Sequence, residues 1–429
     1  MENSERLFRP IACRRNHSWR AGRAISLMAC LVFFCRLASA RDYQFDGGMS
    51  EDVLRAYLSR SMTLMYLLLD HGNLDDNIRM MTNCGVKFAG RAVYDWGGEE
   101  GGEPALPQKF DRARRAAAKV HAADPQIILQ ACVFEIVSSE VDKLPVPAWV
   151  FRELGEPVEN RNFRYDDMIY PDDIGKNQWG QGASVPDVSR PETKRWFFFL
   201  AASYIDLGCE AIHFGQAELM NRHDPNSEHW SAVLEAVRAY ARKHARRHFV
   251  LCDAHVPDGG LVHEGKLLFD FHSFPLRIEE LPDKPRQAQL RAGYTDAIYG
   301  RSKGGLTPSG WRCEHLPFLV EFDNYGSSRQ PGKPGMGPYW VWGWDEITWF
   351  SQLSQNDRDE WLRYAWIWIR EHDPAGYLEM PGYRCLSHAA DGKRWYYVNK
   401  PSTATPEGFG QEQAVRAIWL ADRTTAPDR

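Results

Sequence analysis

Carboxylate side chains recur at the ends of short apolar runs throughout this 429-residue chain. Glu135 ends the run QIILQACVFE, and Glu321 ends the run PFLVE. Aspartate and glutamate can transfer protons or stabilise positive charge, so a pair of them can divide the work of bond cleavage. Eight runs end in or next to a carboxylate, namely Asp70, Asp95, Glu135, Glu218, Asp253, Asp270, Glu321 and Glu379.

Further polar side chains stand beside these carboxylates at a spacing of two residues. Successive residues of a strand point to opposite faces, so residues two apart share a face. Gln216 therefore shares a face with Glu218, and Asp323 shares one with Glu321, with Asn324 following directly. The same spacing relates two histidines to their neighbouring aspartates, namely His255 to Asp253 and His272 to Asp270. We predict that these side chains surround one opening and bind a polar substrate.

Aromatic residues are abundant, with 16 Trp, 17 Tyr and 21 Phe. Trp342 and Trp344 lie in the segment PYWVWGWDEITWF, and Trp96 follows Asp95. An exposed indole ring suits the apolar C–H face of a sugar ring, while acids and amides bind the hydroxyl groups. These three tryptophans are therefore candidates for substrate contact, and packing between strands and helices is the alternative.

The elements that must position these residues alternate between apolar runs and helix-like stretches such as FDRARRAAAKVHAADP. Apolar strands separated by helices indicate a parallel sheet buried on both faces. Eight such units predict an α/β fold, a TIM (β/α)8 barrel, whose strand ends all lie on one rim. A doubly wound open sheet is the alternative, although no G-x-G-x-x-G turn follows the first run. The runs span 63–70, 87–95, 126–135, 210–218, 248–255, 266–272, 317–323 and 376–379.

The domain organisation follows from these runs. We predict one barrel domain over residues 41–400, with a long insertion after the third strand. Residues 401–429 form a short extension, expected to be an appended strand and a loose end.

The layout resembles the retaining glycoside hydrolases with eight-fold barrels, often called clan A. That family carries its acid/base Glu at the end of strand four and its nucleophile Glu at the end of strand seven. The matching positions are Glu218 in FGQAEL and Glu321 in LVEFDNYG. The resemblance implies cleavage of glycosidic bonds in an oligosaccharide or polysaccharide, with retention of configuration.

One position departs from the family pattern. The family has Asn directly before the acid/base Glu, whereas Ala217 precedes Glu218 here, with Gln216 one position earlier. Either Gln216 takes over the contact of that Asn with the sugar, or the role of Glu218 is assigned wrongly.

The N-terminal residues have the pattern of an export signal. Residues 1–40 carry a net charge of +5, an apolar run ISLMACLVFFC, and the small residues Ala38-Ser39-Ala40. This pattern predicts a signal peptide over 1–40, cleavage near Ala40 and a secreted or periplasmic protein. The apolar run is too short to span a membrane, so no stable membrane insertion is expected. The remaining chain carries a charge of −10, which argues against nucleic acid as a partner.

Two other functions are compatible with the same residues. His213, His255 and His272 with nearby carboxylates could form the metal site of a barrel hydrolase or isomerase, although no H-E-x-x-H occurs. Loss of chemistry would instead leave a non-catalytic carbohydrate-binding barrel. We expect a carbohydrate substrate, no cofactor and no metal, and the oligomeric state stays open.

Overall fold

A computed structural model describes residues 41–69, 71–96, 106–256 and 259–422. The predicted signal peptide and Asp70 lie outside the described residues, so both remain predictions.

One large sheet organises the chain, and its strands are β1 to β10 in chain order. They are β1 Ser61–Leu64, β2 Phe88–Val93, β3 Ile128–Cys132, β4 Ala211–Gln216, β5 Leu251–His255, β6 Phe271–Pro275, β7 Phe318–Glu321, β8 Gly376–Leu378, β9 Met380–Cys385 and β10 Trp395–Tyr397.

The sheet closes into a barrel. Each strand from β1 to β7 pairs in parallel with the next one along the chain. After Glu379 the chain continues as β9, which pairs in parallel with β1 and places Met380 opposite Met62. Strands β8 and β9 thus form the two halves of the eighth barrel strand, since β8 pairs with β7 and β9 pairs with β1. Strand β10 pairs with β9 in antiparallel fashion. The predicted TIM barrel is confirmed, and the open sheet is excluded.

All eight predicted runs contain or overlap a strand of the barrel, with two shifts in position. Strand β1 ends at Leu64, and residues Leu67–Leu69 form a 3₁₀ helix instead of continuing the strand. Strand β6 spans Phe271–Pro275, later than the predicted 266–272. Cys132 on β3 and Cys252 on β5 are buried in the barrel wall.

Helices cover most of the connections between strands. They are α1 Glu51–Leu58, α2 Leu74–Cys84, α3 Leu106–Ala123, α4 Ala148–Glu153, α5 Pro191–Asp206, α6 Ala217–Met220, α7 Glu228–His244, α8 Glu346–Ser351, α9 Gln355–His372 and α10 Glu412–Asp422. The described connections from β5 to β7 contain no α-helix and form short antiparallel pairs, including Ile278–Glu280 with Ala288–Leu290. The α/β alternation is therefore incomplete in the second half of the barrel.

Helix α1 closes one end of the barrel. Its apolar residues, among them Tyr57 and Leu58, pack against the first inward-facing layer of the strands. That layer is apolar and contains Phe88, Ile128, Ala211, Leu251, Phe271, Leu319 and Tyr377. Inward-facing residues recur at every second position, so the next inward layer comes from residues such as Gln130, His213, Asp253, Ser273 and Glu321. The barrel is sealed by apolar packing at this end and polar towards the other.

The predicted insertion follows β3. It contains α4, the 3₁₀ helices Ser139–Lys143 and Tyr165–Asp167, and a short antiparallel pair of Val137–Ser138 with Ala183–Ser184.

Among the described residues after Lys400, Glu412–Asp422 form a helix and none forms a strand, so the predicted appended strand is wrong for this part of the chain. Glu412 begins α10 and is buried, and its carboxylate accepts hydrogen bonds from Arg79, Asn83 and the backbone of Lys400 at 2.7–2.9 Å. This charge pairing fixes α10 against α2.

Among the described helices, none is both long enough and apolar enough to cross a membrane.

Replacement of Glu412 by alanine is expected to lower the free energy of unfolding by about 3 kcal/mol, because Arg79 and Asn83 lose a buried partner. Urea denaturation measures the change. Glu360→Gln on the exposed face of α9 is the control and should have almost no effect. Equal stability of both variants would contradict the role of Glu412.

Candidate active site

A cavity of about 610 Å³ opens at the carboxyl ends of the barrel strands. Among the predicted site residues, Trp96, Glu135, Gln216, His255, Glu321, Asp323 and Asn324 line it. The structure adds a set of lining residues that includes Tyr66, Arg91, Tyr94, Phe134, His213, Arg277, Tyr325 and Trp395. Because this is the rim where parallel barrels place their sites, it is the candidate active site.

Two arginines hold Glu321 at the cavity floor. The Arg91 guanidinium donates to both carboxylate oxygens, with its Nε 2.9 Å from Oε2, and Arg384 donates to Oε2 at 2.5 Å. Burial by itself would raise the pKa of Glu321, but the two guanidinium groups outweigh burial and lower it. Glu321 is therefore ionised at neutral pH.

Glu379 lies buried below the cavity, beside Gly90. A Cβ atom on Gly90 would lie 2.0 Å from Glu379 Oε1, so only glycine leaves room for the carboxyl group. Ser61 Oγ donates to the same oxygen at 3.0 Å. Burial, together with the negative charge of Glu321, raises the pKa of Glu379 above its ordinary value. The two glutamates consequently differ in charge, with Glu321 ionised and Glu379 protonated.

Glu135 forms part of the cavity wall and is held by Gln216. The backbone N–H of Gln216 donates to Glu135 Oε2, and its side-chain amide donates to Oε1, both at 2.8 Å. Gly215 has a φ of +55°, and a Cβ atom there would lie 2.0 Å from Glu135 Oε2. Gly215 thus permits the turn and the close approach of the carboxylate.

His213 lines the cavity and is supported by Asp253. The two side chains are 2.7 Å apart between Nδ1 and Oδ2. Asp253 also accepts from Ser273 Oγ at 2.6 Å and from Gln130 Nε2 at 2.8 Å. Asp253 is fully buried, so it acts on the cavity through His213 and does not line it.

On the other side of the cavity, Arg277 joins Asp323 to Asp296. It donates to Asp323 Oδ2 at 3.1 Å and forms an ion pair with Asp296. His255 Nε2 lies 3.8 Å from Asp296 Oδ2. Burial and the charge of Arg277 lower the pKa of His255 to about 4, so this imidazole is neutral at neutral pH.

Aromatic rings stand on two sides of the opening. Trp96 is 42% exposed and packs its edge against Trp179 at 5.3 Å between ring centroids. Tyr325 is 67% exposed and lies 5.1 Å from the ring of Trp340. These rings provide apolar surfaces beside the polar floor, as sugar-binding sites require.

Backbone irregularities direct several of these side chains into the cavity. Tyr66, Arg91 and Arg277 have φ between 55° and 59°, a left-handed conformation that is rare for bulky residues. The strand register also shifts around Arg91 in β2 and between His213 and Gln216 in β4. Bulges of this kind change which face a side chain occupies. His213 and Gln216 therefore both reach the cavity despite their odd spacing.

Glu218 is not brought together with Glu321 as the sequence predicted. Strand β4 ends at Gln216, and Glu218 is an exposed residue in the first turn of α6. It is not among the residues that line the cavity. The end of the strand two residues earlier is the physical reason for the difference.

Asp270 and His272 share a face, as predicted, but that face points away from the barrel interior. Phe271 and Ser273 occupy the inward positions of β6. Asp270 instead pairs with Arg238 of α7 at 2.9 Å, and His272 contacts Ser302. Their prediction as substrate-binding residues is wrong because alternation places them behind the barrel wall.

Three more residues that were predicted to bind substrate make other contacts and do not line the cavity. Trp342 and Trp344 are only 7% and 3% exposed, and each indole N–H donates to a backbone carbonyl, so both belong to the packed interior. Asp95 forms an ion pair with Lys109 outside the cavity lining.

Arg91 and Arg384 are the main functional residues that sequence reasoning missed. Each is the one charged residue of its strand, Arg91 in FAGRAV and Arg384 in MPGYRC. A buried charge needs a buried partner, so this pattern was the available signal. Within the described ranges, no group of three or more His, Cys, Asp or Glu is arranged to hold a metal ion.

No family model and no curated protein match this chain. Solved structures match at low similarity. An α-galactosidase from Lactobacillus brevis is 13% identical with a TM-score of 0.28, and the match covers 46% of this chain and 27% of that one. A debranching enzyme from Nostoc punctiforme is 11% identical with a TM-score of 0.31, covering 54% and 53%. A GH5 cellulase affiliated with Bacteroidetes is 12% identical with a TM-score of 0.38, covering 87% and 93%.

This chain therefore spans about a quarter of the α-galactosidase and about half of the debranching enzyme. The fold assignment rests on the strand pairing described above.

Replacement of Glu379 by glutamine should change how stability depends on pH. In the wild type, Glu379 keeps its proton in the folded state at pH values where the unfolded chain has lost it. Its contribution is therefore complete at acid pH and is lost as pH rises through its raised pKa. Glutamine mimics the protonated form and does not titrate.

Urea denaturation from about pH 5 to about pH 8 tests this expectation. The stability of Glu379→Gln relative to the wild type should increase across the range. Asp345 and Glu346 also have raised pKa values, but they are common to both proteins and cancel in the difference. Parallel stability curves would show that Glu379 is already ionised in the folded protein.

Proposed function

We propose that this protein hydrolyses glycosidic bonds of an oligosaccharide or polysaccharide in the cavity at the barrel rim. The observation that carries the proposal is the combination of an ionised Glu321 at the cavity floor with exposed aromatic rings on two sides. A neutral, hydroxyl-rich ligand matches this combination, since rings contact C–H faces while carboxylates and amides bind hydroxyl groups.

Glu321 has the role of stabilising or attacking the sugar carbon that becomes positively charged. Arg91 and Arg384 keep its carboxylate ionised and fix its position, so little reorganisation is needed at the moment of reaction. Attack with formation of a covalent intermediate would give retention, in agreement with the resemblance noted in the sequence.

Glutamine at position 321 should reduce turnover by on the order of a thousandfold or more, while saccharide binding persists. A screen of glycosides with product analysis identifies the substrate, and calorimetry measures binding. Glu218→Gln is the matched control, because Glu218 does not line the cavity, and it should retain activity. Full activity of Glu321→Gln, or loss only in Glu218→Gln, would refute the assignment.

Because Arg91 and Arg384 would face a neutral amide in Glu321→Gln, the variant is expected to be less stable. Thermal unfolding is therefore measured first, and activity is assayed well below the midpoint.

The aromatic rings at the opening should contribute to affinity. Trp96→Ala and Tyr325→Ala are each expected to weaken saccharide binding by about 1–2 kcal/mol, through loss of a stacking surface. Titration calorimetry measures the affinity. Tyr364→Ala on α9, which is 36% exposed and away from the cavity, serves as the control and should bind normally. Unchanged affinity in both cavity variants would remove these rings from the binding site.

Sugar binding without turnover is a second candidate function. It is favoured by the engagement of Glu321 with two arginines, together with the absence of Glu218 from the cavity lining. The alternative would be supported if the protein binds a saccharide but releases no product in a screen that includes every type of glycosidic linkage.

A further inference from the structure

We propose that His213, supported by Asp253, is the catalytic residue that transfers protons in the cavity. This inference rests on the proposed glycosidase function and names the group that protonates the leaving oxygen. Glu218, the residue that the sequence suggested for this role, does not line the cavity.

The hydrogen bonds around Asp253 fix the orientation of the His213 ring. Gln130 Oε1 accepts from the backbone N–H of Arg91 at 3.0 Å, so its amide nitrogen faces Asp253 and donates at 2.8 Å. Ser273 Oγ donates to Asp253 at 2.6 Å. With two donors in place, Asp253 is an acceptor, and His213 Nδ1 carries the hydrogen of their 2.7 Å contact. The second ring nitrogen, Nε2, is left for exchange of a proton with a ligand.

The three carboxylates among the described lining residues all accept hydrogen bonds from N–H groups, and Asp323 accepts them from Arg277 and from the backbone of Asn324. Glu321 is engaged by two guanidinium groups, which stabilise its ionised form. Both oxygens of Glu135 already accept hydrogen bonds from N–H groups of Gln216. Glu379 holds a proton but lies buried below the cavity and does not line it.

The remaining histidine of the lining has a different environment. His255 faces Arg277 as well as Asp296, and the positive charge of Arg277 disfavours a second positive charge on the ring. His213 instead has the buried side chain of Asp253 as its direct partner, 2.7 Å from Nδ1.

The proposed reaction has two steps. His213 Nε2–H gives its proton to the glycosidic oxygen as the bond between that oxygen and the anomeric carbon breaks, and the bonding electrons stay with the oxygen. A Glu321 oxygen forms a bond to the anomeric carbon. Water then attacks this carbon, its proton passes to Nε2, and the bond to Glu321 breaks with return of the electrons to the carboxylate. One water is consumed, no oxidation occurs, and both residues regain their initial states.

The test compares two substrates that carry the same sugar, an unactivated oligosaccharide and an aryl glycoside with a dinitrophenolate leaving group. The variants are His213→Ala and His213→Asn. Asparagine can keep an N–H donor for Asp253, which protects the fold, but it cannot carry a proton as imidazole does. His248→Ala is the control, because His248 is exposed and precedes β5 at the opposite end of the barrel.

We expect both variants to lose about 10²- to 10⁴-fold in kcat/KM on the oligosaccharide and much less on the aryl glycoside, which needs no protonation. Added imidazole should restore part of the activity of His213→Ala. Equal losses on both substrates without rescue would reduce His213 to a positioning role, and unchanged activity would exclude it altogether. If the wild-type protein cleaves no glycoside, the proposed function fails and this role fails with it. If the wild type is active, the variants test the role of His213 alone.

Discussion

The buried ion cluster of Arg91, Glu321 and Arg384 is the interaction on which the rest of the site depends. Removing three charged groups from water is costly, so the cluster persists only because the partners satisfy one another with short hydrogen bonds. It joins β2, β7 and β9 at the barrel mouth and makes the floor of the cavity polar. Burial and the negative charge of Glu321 together raise the pKa of the neighbouring Glu379, so the cluster contributes to the charge state of both glutamates.

The fold could be predicted from the sequence because its signals are repeated. Eight apolar runs, each followed by a polar residue, specify strands buried on both faces. A small error in the boundary of one run does not change the predicted fold. The positions of Glu135, Gln216, His255 and Glu321 followed for the same reason, since the end of a strand in a barrel lies on the rim wherever the exact boundary falls. The face of the strand on which a side chain lies is harder to predict, and the predictions for Asp270 and His272 were wrong for this reason.

Alternation fails where the backbone departs from regular geometry. The register shift in β2 accompanies the turn of Arg91 into the cavity, and the shift in β4 lets Gln216 share the cavity with His213 at an odd spacing, which no count of odd and even positions shows. Gly90 and Gly215 were visible in the sequence, but their purpose depends on carboxylates that come from strands distant in the chain. The burial of Trp342 and Trp344 likewise depends on carbonyl partners, Gln287 and His388, that only the folded loops supply.

The closure of β9 on β1 has a consequence for the order of events during synthesis. Met62 pairs with Met380, so the first strand leaves the ribosome long before its second neighbour exists. Until then β1 and β7 are open edges, which are templates for pairing with other chains. Arg384 arrives on the same closing strand, and the second counter-ion of Glu321 is therefore delivered together with the last strand pairing. Nearly the whole nascent chain must be kept from association until one late segment both closes the sheet and completes the ion cluster.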